Sequence, residues 1–453
     1  MTTRFSSALA ATALLLAAPP AAAQLLPGVG GGADGGGLGG VIGGVARGVG
    51  EVSRPVFGAE TGDVAAEHRQ LLGGSFDRIA SLSSSVEAAP QSLIDLRRLR
   101  LSLLINAHRR ELDRDGAGNP VRRDRLIVVE PDPASLAAAE RKGFRIVSDQ
   151  REPELGLRVV TLSVPAGTAP RQALATLRKA APALDADFDH IYEPAGGALA
   201  PTAAALLAGA AGFAPANTRI AMIDGGVASH PSMARASIEQ KGFAGPASAT
   251  GHGTAVASLL VGDQGGFVGA ARGASLFVGD VYGGNAAAGS ASAIVRALGW
   301  AAGKKPQLIN VSLVGPANRA VEAAVRALRA RGIMIVAAVG NDGPAAPPQY
   351  PASYDGVVAV TGVDAKGKAL IEAGRARHLD FAAPGADLAA ALPGNGFARV
   401  RGTSFAAPLA AARLAAAGSF ERLVAEARPG KGRVGRGIVC GGCRIEPRSV
   451  GAK

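Results

Sequence analysis

Three short segments of this 453-residue chain set a reactive side chain among small neighbours. They are Ala221-Met222-Ile223-Asp224-Gly225-Gly226, Gly251-His252-Gly253-Thr254-Ala255-Val256-Ala257 and Gly402-Thr403-Ser404-Phe405-Ala406-Ala407-Pro408. An Asp, a His and a Ser are the parts of an acyl-transfer triad. A hydroxyl becomes a useful nucleophile when an imidazole takes its proton, and a carboxylate fixes the tautomer of the imidazole. A fourth segment, Met334 to Gly343, leads from an apolar run into a glycine-bounded loop at Asn341, whose amide suits a developing oxyanion. Alone, each segment has a plain reading: a Thr-Ser helix cap, an Asp-Gly or Asn-Asp-Gly turn, a capping histidine. The four together, each at a strand end or a helix start, point to acyl-bond hydrolysis.

Such residues must be delivered by regular elements. From Thr218 onward, strand and helix patterns alternate. Strands are predicted at Ile220–Ile223, Ser275–Val278, Leu308–Ser312, Met334–Val339 and Val357–Thr361, and helices at Thr254–Leu260, Ala291–Ala302, Ala317–Ala330 and Ser404–Ala416. This alternation predicts an α/β fold, a mostly parallel sheet with helices on both faces. Ligands of such sheets bind outside the carboxyl ends of the strands, where Asp224 falls. Ser404 opens an Ala-rich, nearly uncharged helix, a pattern of burial. The N–H groups at that helix start favour negative charge, and Pro408 is expected within its first turn.

Upstream, residues 124–193 read as βαββαβ, a small ferredoxin-like α+β domain. Residues 64–120 read as a helical region broken at Pro90, with Leu93, Leu96, Leu99, Leu103 and Ile105 at near-helical spacing among arginines. Residues 24–63 are a Gly-rich flexible segment, and 194–217 an Ala/Gly-rich linker. Residues 1–23 have the pattern of an export signal: Arg4, an apolar run through Leu14-Leu15-Leu16, then Ala21-Ala22-Ala23. The net charge of +12 comes partly from Arg97-Arg98-Arg100, His108-Arg109-Arg110 and Arg122-Arg123-Asp124-Arg125. Without interleaved aromatics or a nucleic-acid motif, these read as solvated faces, and no nucleic-acid partner is expected. No stable membrane span is expected either, since the uncharged stretch from Ala195 to Thr218 is mostly Ala and Gly and carries prolines. Cys440 and Cys443 are too few for a structural zinc site and read as a local disulfide in an exported protein, with a redox role as the sharper alternative. No metal or cofactor is expected.

Residues 218–439 resemble the subtilase (subtilisin-like serine protease) family. The resemblance rests on the Asp…His…Ser order of the three segments, on Tyr350-Pro351-Ala352-Ser353 and Asp380-Phe381-Ala382-Ala383-Pro384-Gly385, and on Gly435-Arg436-Gly437-Ile438-Val439. It implies Ser404 as nucleophile, His252 as general base and then acid, Asp224 as its orienting carboxylate, and Asn341 as oxyanion donor. It also implies that Ile309-Asn310-Val311-Ser312-Leu313 pairs with an extended peptide, with Ser312, Leu313, Val314, Gly315, Ala338 and Gly340 binding substrate. Residues 124–193 are similar to the inhibitory propeptide of many subtilases. By that resemblance their end fills the cleft until self-cleavage between Glu193 and Asn217, and the propeptide is an intramolecular inhibitor. The implied protein is an exported (periplasmic or secreted) serine endopeptidase acting on proteins or peptides and made as a self-processing zymogen. Three features depart from the family pattern. Gly225 stands where Thr or Ser is usual, Val314 where Gly is common, and the segment from Leu260 to Gly273 holds only Asp263 for a calcium loop. Gly225 and Val314 motivate the alternative, a weakly active or inactive peptide-binding protein of the same fold.

Overall fold

The computed structural model describes residues 90–198, 215 and 217–452. The expected export signal, the Gly-rich segment, the part of the helical region before Pro90 and most of the expected linker lie outside the described residues. The first described elements are α1 (Pro90–Ala107), β1 (Leu112–Arg114), β2 (Pro120–Val129), α2 (Pro133–Glu140), β3 (Arg145–Glu152), β4 (Leu157–Ser163), α3 (Pro170–Ala180) and β5 (Asp185–His190). The sheet runs β5-β2-β4-β3 with every pair antiparallel, the strand order of a ferredoxin-like unit. Helix α2 starts where Asp132 accepts the Ser135 N–H at 2.9 Å, with proline at the first helical position. Helix α3 lays Ala173, Leu174 and Leu177 over Leu126, Val128, Val160 and Leu162 of the sheet. Strand β2 begins at Pro120, ahead of the region 124–193 read as βαββαβ, because Leu112–Arg114 pairs with its first residues, a partner that local patterning does not reveal.

Two short strands follow, β6 (Glu193–Pro194) and β7 (Gly197–Ala198). The remaining elements are β8 (Arg219–Asp224), β9 (Ser237–Gly242), α4 (Gly251–Val261), the hairpin β10 (Asp263–Gln264) and β11 (Phe267–Val268), β12 (Ser275–Asp280), α5 (Ala291–Gly303), β13 (Leu308–Val311), β14 (Leu313–Val314), α6 (Arg319–Ala330), β15 (Met334–Ala338), β16 (Val357–Val363), β17 (Phe381–Pro384), β18 (Leu388–Ala391), β19 (Phe397–Arg401), α7 (Thr403–Ala417) and α8 (Phe420–Glu426). Seven strands form one parallel sheet in the order β17-β16-β15-β13-β8-β12-β9. Successive side chains alternate between its faces. Ile220 and Met222 join α4 and α7 in one core, while Ala221 and Ile223 join α5 and α6 in the other. Strands β9 and β17 were not predicted. The first is a polar edge strand, and the second, Phe381-Ala382-Ala383-Pro384, has no alternation.

Helix α7 begins at Thr403, so Pro408 sits in its second turn and not the first. A proline there removes the N–H that would bond the Ser404 carbonyl. Ser312 Oγ donates to that carbonyl at 2.9 Å in its place.

The ferredoxin-like sheet lies against α5 and α6, with Ile127, Val129 and Val159 in the same core as Ala297, Leu298 and Ala324. Two of its carboxylates cap those helices. Asp189 accepts the Ser292 N–H and Oγ–H, each at 2.9 Å, and Asp187 accepts the Arg319 N–H at 3.0 Å. Burial pushes the Asp189 carboxyl above its usual range despite the two hydrogen bonds.

The basic cluster of α1 differs from expectation. Arg97 and Arg100, read from sequence as a solvated face, are only 13% and 14% exposed in their side chains and are paired with acids. Cys440 and Cys443 are disulfide-bonded. No described helix is long and apolar enough to cross a membrane, and no group of His, Cys, Asp and Glu among the described residues is arranged to hold a metal ion.

Candidate active site

Asp224 ends β8 at the carboxyl edge of the sheet and is 1% exposed. Its Oδ1 accepts from His252 Nδ1 at 2.8 Å and from the Gly225 N–H at 2.6 Å. His252 is the second residue of α4, whose start is fixed by Thr250 Oγ1 accepting the Gly253 N–H at 2.9 Å. The two glycines permit this approach. A Cβ on Gly253 would lie 2.2 Å from the Gly225 carbonyl oxygen, and one on Gly225 would lie 2.3 Å from Thr250 Oγ1. Thr250 therefore fills the space that a larger residue after Asp224 would need. Asp224 Oδ2 and His252 Nε2 are buried without a hydrogen-bond partner among the described residues.

Ser404 is the second residue of α7 and fully buried. Its Oγ donates to the Ser312 carbonyl at 2.9 Å rather than to His252, so the Asp–His link is made and the His–Ser link is not. The ring of His252 nevertheless lies 5.5 Å from that of Phe405, the residue after the serine. Gly402, at φ 142°, brings in the turn, and a Cβ there would lie 2.9 Å from both Asn341 Nδ2 and Gly196 Cα. Asn341 follows β15 as expected. Its Oδ1 accepts the Thr403 N–H at 3.0 Å, which orients the amide so that Nδ2 points into the cleft.

The place expected for an oxyanion is taken by a carbonyl of the chain itself. Asn341 Nδ2 and the Ser404 N–H (3.1 Å) both donate to the Ala195 oxygen. On the upstream side the Ala195 N–H donates to the Ser312 carbonyl at 3.1 Å, and β6 pairs antiparallel with β14, Pro194 opposite Leu313 and Glu193 opposite Val314. On the downstream side β7 pairs antiparallel with β19, Gly197 opposite Arg401 and Ala198 opposite Val400. Residues 193–198 thus run through the cleft, with the Ala195–Gly196 peptide bond beside Ser404.

Of the residues expected to bind substrate, Ser312, Leu313 and Val314 carry the strand that grips this segment. Ala338 ends β15 and is buried, and the Gly340 N–H donates to Thr403 Oγ1 at 3.1 Å. A Cβ on Gly340 would lie 3.5 Å from Val314 Cγ1, so the valine occupies the space beside Gly340, in the same buried cluster as Ala195. Gly315 meets the chain one residue before this segment. It bonds Tyr350, and its Cα is packed against the Tyr192 ring.

Residues 216–423 match the subtilase family. The chain is 31% identical over 221 residues to the major intracellular serine protease of Bacillus subtilis, spanning 45% of this chain and 69% of that protein. It is 32% identical over 203 residues to Subtilisin Savinase of Lederbergia lenta, spanning 44% of this chain and 74% of that protein. The chain belongs to the subtilase family. It is a serine endopeptidase by that membership, and peptides are its substrates. Fervidolysin from Fervidobacterium pennivorans, a keratinolytic enzyme related to subtilisin, shares the subtilase fold at 18% identity and a TM-score of 0.61, over 75% of this chain and 62% of that one.

This subtilase contains site residues that the motifs did not single out. Glu193, Pro194, Ala195 and Gly196 fill the cleft; the resemblance implied a segment here, between Glu193 and Asn217, but not which of its residues. Thr250 is a second, one residue outside the histidine motif. Arg100 and Asp342 are a third set, joined only by folding, although Leu93, Arg97, Arg100, Leu101 and Leu104 follow helical spacing.

Proposed function

We propose that the chain is the precursor of an exported serine endopeptidase that cuts its own Ala195–Gly196 bond. One observation carries this reading: a single peptide carbonyl accepts from both Asn341 Nδ2 and the Ser404 N–H while the chain on each side of it is strand-paired in the cleft. In the reaction Ser404 Oγ turns from the Ser312 carbonyl toward His252 Nε2, which is buried and unpartnered, and gives it the proton. The oxygen attacks the Ala195 carbonyl carbon. Asp224 holds Nδ1–H of His252 and balances the imidazolium that forms. Charge developing on the Ala195 oxygen is met by the two donors already aimed at it. His252 then protonates the Gly196 nitrogen, the peptide C–N bond breaks, and water resolves the acyl-enzyme by the same route in reverse.

Residues 120–195 act as the inhibitory propeptide, a role supported by the capping of α5 and α6 by Asp189 and Asp187. Export rests on the pattern of residues 1–23. The alanine before the held bond and the valine beside it favour substrates with a small residue at that position. The hydroxyl turned toward Ser312 favours a second reading, a module that grips a peptide strand without turnover. The test compares the chain lacking residues 1–23 with its Ser404→Ala variant, by intact mass and by labelling with a fluorophosphonate. The protease reading expects two fragments, the second starting at Gly196, and a labelled Ser404, in the parent only. Two intact, unlabelled proteins would refute it in favour of the gripping module.

A further inference from the structure

Helix α1 belongs neither to the ferredoxin-like sheet nor to the parallel sheet, and its packed face carries two arginines among its leucines. Leu93, Leu101 and Leu104 are buried, and Arg97 and Arg100 lie on the same face at helical spacing. Leu93 seats against the backbone of Gly343, where a Cβ would lie 2.8 Å from its Cδ1, and Leu104 packs with Leu112, Ile191 and Ala287. Between these anchors the two guanidinium groups reach the occupied cleft. Arg100 donates through Nε and Nη2 to the two oxygens of Glu193 at 3.1 and 3.2 Å, and through Nη2 to Asp342 Oδ1 at 2.9 Å. Arg97 donates through Nε to Asp342 Oδ2 at 3.1 Å and through Nη2 to Asn119 Oδ1 at 2.9 Å.

Glu193 is two residues before the held carbonyl, and Asp342 directly follows the oxyanion donor Asn341. A single arginine therefore ties the chain lying in the cleft to the loop that completes the site. Exposed ion pairs contribute little. This one is two-pronged and shielded, and removing either partner would strand a desolvated charge.

We propose that α1 is a latch, Arg100 its bolt and Arg97 its brace, which keeps the segment ending at Ala195 seated after the bond is cut, so that release of the helix sets the onset of activity. The inference rests on the precursor reading above. Hydrolysis adds one water across Ala195–Gly196, leaving a carboxylate on Ala195 and an amine on Gly196. Nothing in that step loosens the β6–β14 pairing or the bridges from Arg100 and Arg97 to Asp342, which join the upstream product to the protease, so it stays in place.

The test follows two clocks on the full chain lacking residues 1–23: appearance of the Gly196 fragment by mass, and hydrolysis of a short alanine-containing peptide. The interval between them is the lag. Arg100→Gln and Glu193→Gln are expected to cut at the same bond and to shorten the lag at least about tenfold, and the double variant to shorten it no further than either alone. Each variant should still give the fragment beginning at Gly196 and a labelled Ser404, which a general loss of structure would not allow. Arg98→Gln, on the exposed side of the same helix, is expected to behave as the parent. The Glu193 variant leaves the helix untouched and keeps the test valid if the Arg100 variant misfolds. Lags within about twofold of the parent in both single variants, or an equal shortening by Arg98→Gln, would overturn the latch while leaving the protease reading intact. A parent that is neither cut nor labelled at Ser404 would refute both.

Discussion

Gly196 has no room for a side chain in the occupied cleft. A methyl on it would lie 2.9 Å from Phe405 Cε2 and 3.3 Å from Ser404 Cβ. Carbon atoms prefer about 3.5–4.0 Å, so Gly196→Ala needs about 0.5 Å or more of new space. Neither neighbour yields it. Phe405 is 1% exposed, and the Ser404 Cβ is fixed to the start of α7. The chain must lift instead, against the hydrogen bonds that hold the Ala195 oxygen and against the β7–β19 pairing. Overpacking on this scale costs about 1–3 kcal/mol. If that cost falls on the reacting geometry, the rate drops about 5- to 150-fold. The assay is the first-order appearance of the fragment beginning at residue 196, followed by intact mass in dilute protein so that cutting between molecules is suppressed. The expected result is slowing within that range with an almost unchanged thermal midpoint. Undiminished cutting at 195–196 would refute the reasoning, because the methyl would then have room that the structure does not contain.

Other perturbations test the remaining parts. Asn341→Ala removes the amide donor to the Ala195 oxygen, and loss of one such donor in subtilisin, a relative of this chain, costs about 10²–10³ in rate. It also strips the Thr403 N–H of its acceptor, for about 1 kcal/mol of stability. A self-cleavage rate within about threefold of the parent would contradict the assigned donor role. Val314→Gly should widen the cleft beside Ala195 and raise kcat/KM for peptides with phenylalanine before the cut by about 10-fold or more relative to alanine. An unchanged ratio would remove Val314 from the specificity wall. Burial alone would raise the Asp115 carboxyl, but hydrogen bonds from His190 and Asn119 outweigh it and hold it at about 2, below the ordinary 3.8. A depressed carboxyl stabilises the fold above its unfolded value and loses that contribution as pH falls toward the folded one. The thermal midpoint of the Ser404→Ala precursor should therefore fall between about pH 4 and pH 2, and Asp115→Asn should flatten part of that fall. Identical profiles would count against it.

The sequence and the structure agree best where local physics suffices. Asp224, His252 and Asn341 announce themselves because each ends an apolar run or begins a helix, and the same runs alternate into the two cores of the parallel sheet. Pattern reading failed where the partner is remote. Strand β9 is polar because it is an edge, and β2 starts early because residues 112–114 pair with it. The serine hydroxyl points to Ser312 because Pro408 leaves a helical carbonyl without its amide and brings Ser312 alongside, a link across 92 residues. Arg97 and Arg100 resemble solvated charges in any window of sequence. Their acids, Glu193 and Asp342, lie 93 and 242 positions from Arg100 and are identified only by folding.

The Ser312 carbonyl serves two clients. It accepts the Ala195 amide and the Ser404 hydroxyl together, using both lone pairs, while Ser312 Oγ returns a bond to the Ser404 carbonyl. The edge that grades an incoming backbone is thereby wired to the atom that attacks it. In the occupied cleft both bonds are made at once, so a backbone seated in register and a hydroxyl turned away from His252 share one acceptor.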